Sequence, residues 1–148
     1  MLSLYYSLST IIKNKTSTLV KGSFLALIAS ASHAQAEQTC ELASNNTDDT
    51  KRYIQCLDQV IADLQRDQKM WINKLTMDLE KIKEDSGNSQ LLPIFNRSIK
   101  NQERYLEDSC RWRYLQKMPN STKAAIAYKQ CEIEILKNHV QVLQRPLK

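Results

Sequence analysis

Apolar residues recur at intervals of three and four along the middle of the chain: Ile54, Leu57, Ile61, Leu64, Trp71, Leu75, Leu79 and Ile82. This spacing is the stripe of a long amphipathic helix, predicted from Thr47 to about Asp85. Thr47-Asp48-Asp49 offers an N-cap and acids for the first turn. Ser86-Gly87-Asn88 supplies the stop, with Gly87 suited to a left-handed C-cap. A second stripe, Leu91, Leu92, Phe95, Ile99, Leu106, Cys110 and Tyr114, predicts a helix from about Gln90 to Met118. Pro93 fits its first turn, where a missing amide costs nothing. Pro119 ends it by pushing Met118 out of helical geometry. Asn120 or Ser121 then caps a third helix bearing Ala124, Ala127, Tyr128, Cys131, Ile135 and Val142, closed near Pro146. No segment alternates with the period of a strand. The expected fold is all-α: a long antiparallel helical hairpin plus a third helix.

The first 36 residues differ in kind. They hold no Asp or Glu, and their side-chain charges are Lys13, Lys15 and Lys21. Phe24 to Ala29 is apolar, and a small-residue tail ends in Ala34-Gln35-Ala36. A basic region, a short apolar core and an A-x-A ending make a secretory signal peptide. Residues 1–36 read as that signal and 37–148 as one helical domain, with Ser32-His33-Ala34 the alternative cleavage site. The apolar core falls well short of the roughly 20 residues that cross a bilayer, so no stable membrane span is expected. An Arg-rich transit peptide is excluded, because the segment has no Arg.

Removing the leader changes the charge. Beyond residue 36 lie 18 basic and 16 acidic residues, a net charge of +2. No block of five like charges remains, so no nucleic-acid partner is expected.

The four cysteines, Cys40, Cys56, Cys110 and Cys131, all follow the leader. An even count in a short exported chain reads as a disulfide framework. Their intervals of 16, 54 and 21 residues lack the close pairs of a zinc site. Helix register chooses the pairing. If the second and third helices fold back about residue 120, Cys110 and Cys131 lie level. If the first two fold about residue 87, Cys56 and Cys110 are staggered by about nine residues, on the order of 13 Å, beyond bridging distance. Cys40–Cys56 and Cys110–Cys131 are therefore the expected bridges. Each closes a loop of about 17–22 residues, worth about 3–4 kcal/mol on the chain-entropy account.

The parts of a catalytic site do not assemble. Beyond the leader the chain has one histidine, His139, which reads as a solvated helix-face residue. Bridged cysteines offer no thiolate. Glu103, Glu107 and Asp108 read as the wet face of a helix. The one glycine beyond the leader, Gly87, cannot build a phosphate loop. No enzyme, metal or cofactor is expected. The cluster Arg111-Trp112-Arg113-Tyr114 combines types enriched at binding hot spots, although on a helix the four point in different directions. Arg111, Trp112 and Arg113, with Asn120 in the turn above the predicted bridge, are the candidate partner-binding residues. Asn45-Asn46-Thr47, Asn96-Arg97-Ser98 and Asn120-Ser121-Thr122 match the glycosylation acceptor pattern, which matters in a eukaryotic secretory host.

A signal peptide, a cysteine pair about 15 residues apart, a long helix and a later pair about 20 apart form a recognisable layout. It resembles that of the lysozyme-inhibitor-like helical periplasmic proteins. Tyr105-Leu106-Glu107-Asp108-Ser109-Cys110 is similar to that family's segment before its third cysteine, and Ala62-Asp63-Leu64 to an element of its first helix. The Gln-Arg-x-Trp signature of the family is replaced by Gln102-Glu103-Arg104-Tyr105. Pro119-Asn120-Ser121 stands where a glycine pair is usual. The resemblance implies a periplasmic or secreted inhibitor of a cell-wall hydrolase such as lysozyme. The alternatives are a structural or adaptor helical module of the envelope, bound to an envelope protein, and a secreted effector. Ile54, Leu57, Ile61, Leu64 and Trp71 suggest a self-pairing seam, but Gln68 and Asp78 interrupt the heptads, so the oligomeric state stays open.

Overall fold

The computed structural model describes residues 39–147. The expected leader and its cleavage position lie outside these residues. Three helices follow in order: α1 (Thr47–Ser86), α2 (Leu91–Lys117) and α3 (Ser121–Leu143). No strand occurs among the described residues.

Helix α1 starts at Thr47 as expected, but its cap lies one residue earlier than expected. Asn46, in extended geometry, accepts a hydrogen bond from the Asp49 backbone N–H at 2.7 Å, and Thr47 is already helical. Asp49 also takes hydrogen bonds from Ser44 and Arg52, and these hold its carboxyl below the ordinary aspartate range. At the far end Gly87 adopts φ 71° and donates its N–H to Lys83 O at 2.8 Å. That left-handed conformation is the one a glycine tolerates best. Helix α2 ends at Lys117, where Met118 turns extended before Pro119, as the restriction on pre-proline residues requires.

The expected antiparallel partners, α1 and α2, meet only sparingly, while α3 packs along both. Contacts set the directions. Lys129 bonds Asp58, Gln65 donates to Glu132 at 3.3 Å, and Gln68 lies 2.7 Å from His139. Both partners' numbers rise together, so α1 and α3 run parallel. Cys110 and Cys131 join α2 to α3, whose chain directions oppose. Leu75, Ile99 and Leu143, one from each helix, share a core cluster near the α1–α2 turn, with Trp71, Ile72 and Phe95 packed on it.

This arrangement corrects the expected core in four places. Tyr53 and Val60 are buried, because α3 lies along a wider face of α1 than the stripe implied. Tyr53 also accepts a hydrogen bond from Gln130 at 2.8 Å. Ile82 is exposed, since α3 ends level with about residue 72 of α1 and leaves the last turns without its cover. Val142 faces outward, and its neighbours Val140 and Leu143 are the buried ones.

Both bridges pair as register required. Cys40–Cys56 has a Cα separation of 5.8 Å and Cys110–Cys131 one of 5.5 Å. The first ties residues preceding α1 to its third turn. The second staples α2 to α3, with Cys110 fully buried.

Candidate functional site

The α2–α3 bridge is the floor from which the candidate residues rise. Cys110, Cys131 and Ile135 form a buried cluster, covered at its sides by Leu106 and Tyr128. Successive residues on a helix turn by about 100°, so the three that follow Cys110 leave this floor in different directions.

Arg111 points into a groove of about 400 Å³ lined by Tyr114 of α2 and by Ala125, Tyr128 and Lys129 of α3. Its guanidinium lies 3.9 Å from Glu107, one turn earlier. Burial, with Glu132 and Glu107 acting in the same sense, raises the Tyr128 phenol above its ordinary pKa, so it stays protonated.

Trp112 stands out from α2 with 53% of its surface exposed. The Arg113 guanidinium stacks on it at 4.4 Å from the ring centroid and donates to Ser109 O at 2.6 Å. A cation held over an indole face and tied to the backbone has few alternative rotamers. Trp112, Arg113 and Lys117 line a second groove, opposite Ala127, Gln130 and Glu134 of α3, with Cys131 in it. Arg111 therefore serves one flank of the hairpin, and Trp112 with Arg113 the other.

Asn120 has a different position. Its side chain accepts from the Lys123 backbone N–H at 2.9 Å and caps α3. Two further residues belong to this surface and escaped the sequence reading. Leu115 is 60% exposed and Met118 47% exposed. With Trp112 they follow one another at three-residue steps toward the turn, a spacing that sequence inspection assigns to core as readily as to surface.

Elsewhere the wet and buried positions sort cleanly. Glu103, Glu107 and Asp108 are exposed, as expected. His139 is not a solvated face residue: it sits half-buried on the α1–α3 seam against Gln68, and burial lowers its pKa below the usual histidine value. Glu132 on the same seam is raised, again mainly by burial. Among the described residues no three His, Cys, Asp or Glu side chains gather as a metal set would. None of the described helices is long and apolar enough to cross a membrane.

No family model, curated protein or solved structure matches this chain.

Proposed function

We propose that the chain is an exported protein-binding module, periplasmic or secreted, and that its target is a cell-wall hydrolase. One observation carries the binding reading: an exposed tryptophan, stacked by an arginine, on a hairpin cross-linked two residues before it. Trp and Arg dominate binding hot spots, and a surface fixed before contact loses little entropy on docking. Two disulfides suit an oxidising compartment. The hydrolase is suggested by the cysteine layout and the segments quoted for the family resemblance. The two-carboxylate cleft of a glycosidase is a surface that an arginine flanked by an aromatic ring can fill.

The test is a titration of animal-type lysozymes and peptidoglycan amidases with the oxidised protein, followed by loss of cell-wall turbidity. Inhibition of one enzyme is expected, weakened about tenfold or more by Trp112→Ala. Full activity of every enzyme at high molar excess rules out the hydrolase target.

An envelope adaptor is the second reading. Met70 and Met77, seven residues apart on α1, are both exposed large apolar side chains. Flexible methionines at a surface suit adaptable contacts. A Met70→Lys/Met77→Lys variant that loses co-purification with an envelope protein supports this reading, and one that retains it removes the α1 face from consideration.

A further inference from the structure

The end of the α2–α3 hairpin carries a charge pattern unlike the remainder of the chain. From Ser109 through Cys131 there is no Asp or Glu, yet Arg111, Arg113, Lys117, Lys123 and Lys129 all fall there. Beyond residue 36 this leaves 13 cations for all 16 acids. The segment is thus +5 and the rest −3, a difference hidden in the net +2; in space the first turn of α1, which carries Asp48 and Asp49, comes up beside Thr122 at the same end. Asp58 answers Lys129 across the α1–α3 seam, and Glu107 lies within reach of Arg111. Lys117 and Lys123 are exposed on either side of the turn. Trp112, Leu115 and Met118 expose apolar surface among these cations.

We infer that this end of the hairpin docks on an acidic protein surface, with Trp112 and Leu115 as apolar anchors and Arg111, Lys117 and Lys123 matching its charge. The inference rests on the protein-binding reading and adds the chemistry of the partner. Three features favour a protein over other anionic partners. Trp and Arg together are the composition of a protein hot spot. Glu107 and Asp108 are exposed one turn before Arg111 and Trp112, and a flat anionic lipid surface would press against them. The cations are dispersed over two helices and a turn, without the run or stripe that tracks a phosphate backbone. An acidic partner also gains in association rate, because complementary fields steer encounter at low salt.

The experiment measures binding of the full oxidised protein to four probes: a helical peptide of repeating Glu and Leu, its Lys-for-Glu counterpart, phosphatidylglycerol vesicles and duplex DNA. Two charge-reversal variants of equal net change are compared, with circular dichroism confirming their helices. One carries Arg111→Glu, Lys117→Glu and Lys123→Glu. The other carries Arg66→Glu, Lys69→Glu and Arg97→Glu, away from the hairpin end. The acidic peptide is expected to bind, and the hairpin variant to lose about tenfold or more in association rate against about twofold or less for the control. Trp112→Ala is expected to speed dissociation. Equal losses in the two variants, or tighter binding to vesicles or DNA than to the acidic peptide, overturn the inference. Success here beside a silent hydrolase assay removes the hydrolase and keeps the acidic surface. The reverse outcome keeps an inhibitor and overturns the charge-matched contact.

Discussion

At Trp112 and Asn120, side chains eight positions apart at one end of the hairpin do opposite kinds of work. The indole of Trp112 is half exposed, packs on Arg113 and belongs to neither buried cluster, so removing it opens no cavity in the core. Trp112→Ala should leave stability within about 0.5 kcal/mol of the parent, by urea denaturation, whatever it does to binding. Asn120 satisfies a backbone N–H of α3 that has no other partner within the helix. Asn120→Ala should cost about 1 kcal/mol in the same experiment. A flat response there means that the first turn of α3 is held by something else. The sequence offered Asn120 both as a cap of α3, with Ser121 as the alternative, and as a partner-binding candidate, and the cap is the role its side chain takes. A cap and a contact residue look alike until the backbone shows which side chain faces inward. Leu115 and Met118 show the converse problem, since apolar residues three apart carry no mark of the side from which α3 approaches.

Among the elements, the helices were readable because their signals are local: periodicity, Asn and Gly caps, and a proline stop. Packing order was less so. The turns at residues 87 and 120 are short, which suggested α1 against α2, yet α3 is the helix buried along most of its length. Polar and titratable side chains pair along the margin of the α1–α3 seam. His139 sits there half-buried with its pKa depressed by burial, countered in part by Glu103. The unfolded chain then binds the proton more readily than the folded one. Its contribution to stability is full above the ordinary histidine pKa of about 6.5 and is lost as pH falls through the lower folded value. Glu132, raised by burial, has the opposite slope in a more acidic window: its contribution is full below the ordinary glutamate value and lost as pH rises through the folded one. Chemical denaturation at a series of pH values should therefore show a fall in stability between neutrality and mild acid. His139→Gln should flatten that fall. An unchanged profile in the variant assigns the slope to other groups.

At the scale of the whole described domain, two bridges add covalent ties to the packed core. The Cys110–Cys131 loop is closed between the last third of α2 and the middle of α3, while Cys40–Cys56 gathers in the segment before α1. Replacing Cys110 and Cys131 by Ala should lower stability by about 3 kcal/mol, visible as a shifted denaturation midpoint. It should also slow or abolish binding more than Trp112→Ala does at temperatures where the hairpin loosens. Connectivity was derivable from sequence because helix register converts residue numbers into distances. The proposed contact surface was less legible, because the exposure of Trp112, Leu115 and Met118 depends on the side from which α3 approaches. Five cations spread through 23 residues do not form a run, and the net charge of +2 conceals them.

Backbone amide hydrogen exchange tests the central claim, that the disulfide-locked end of the α2–α3 hairpin is the contact surface, most directly. Exchange would be followed in the oxidised protein alone and with each cell-wall hydrolase of the panel at saturating concentration. Binding at the proposed surface slows exchange from about Arg111 to Lys123 and leaves the Met70–Met77 stretch of α1 unchanged. Protection centred on α1 with an enzyme that binds contradicts it, whereas no protection with any of the enzymes removes the hydrolase as target.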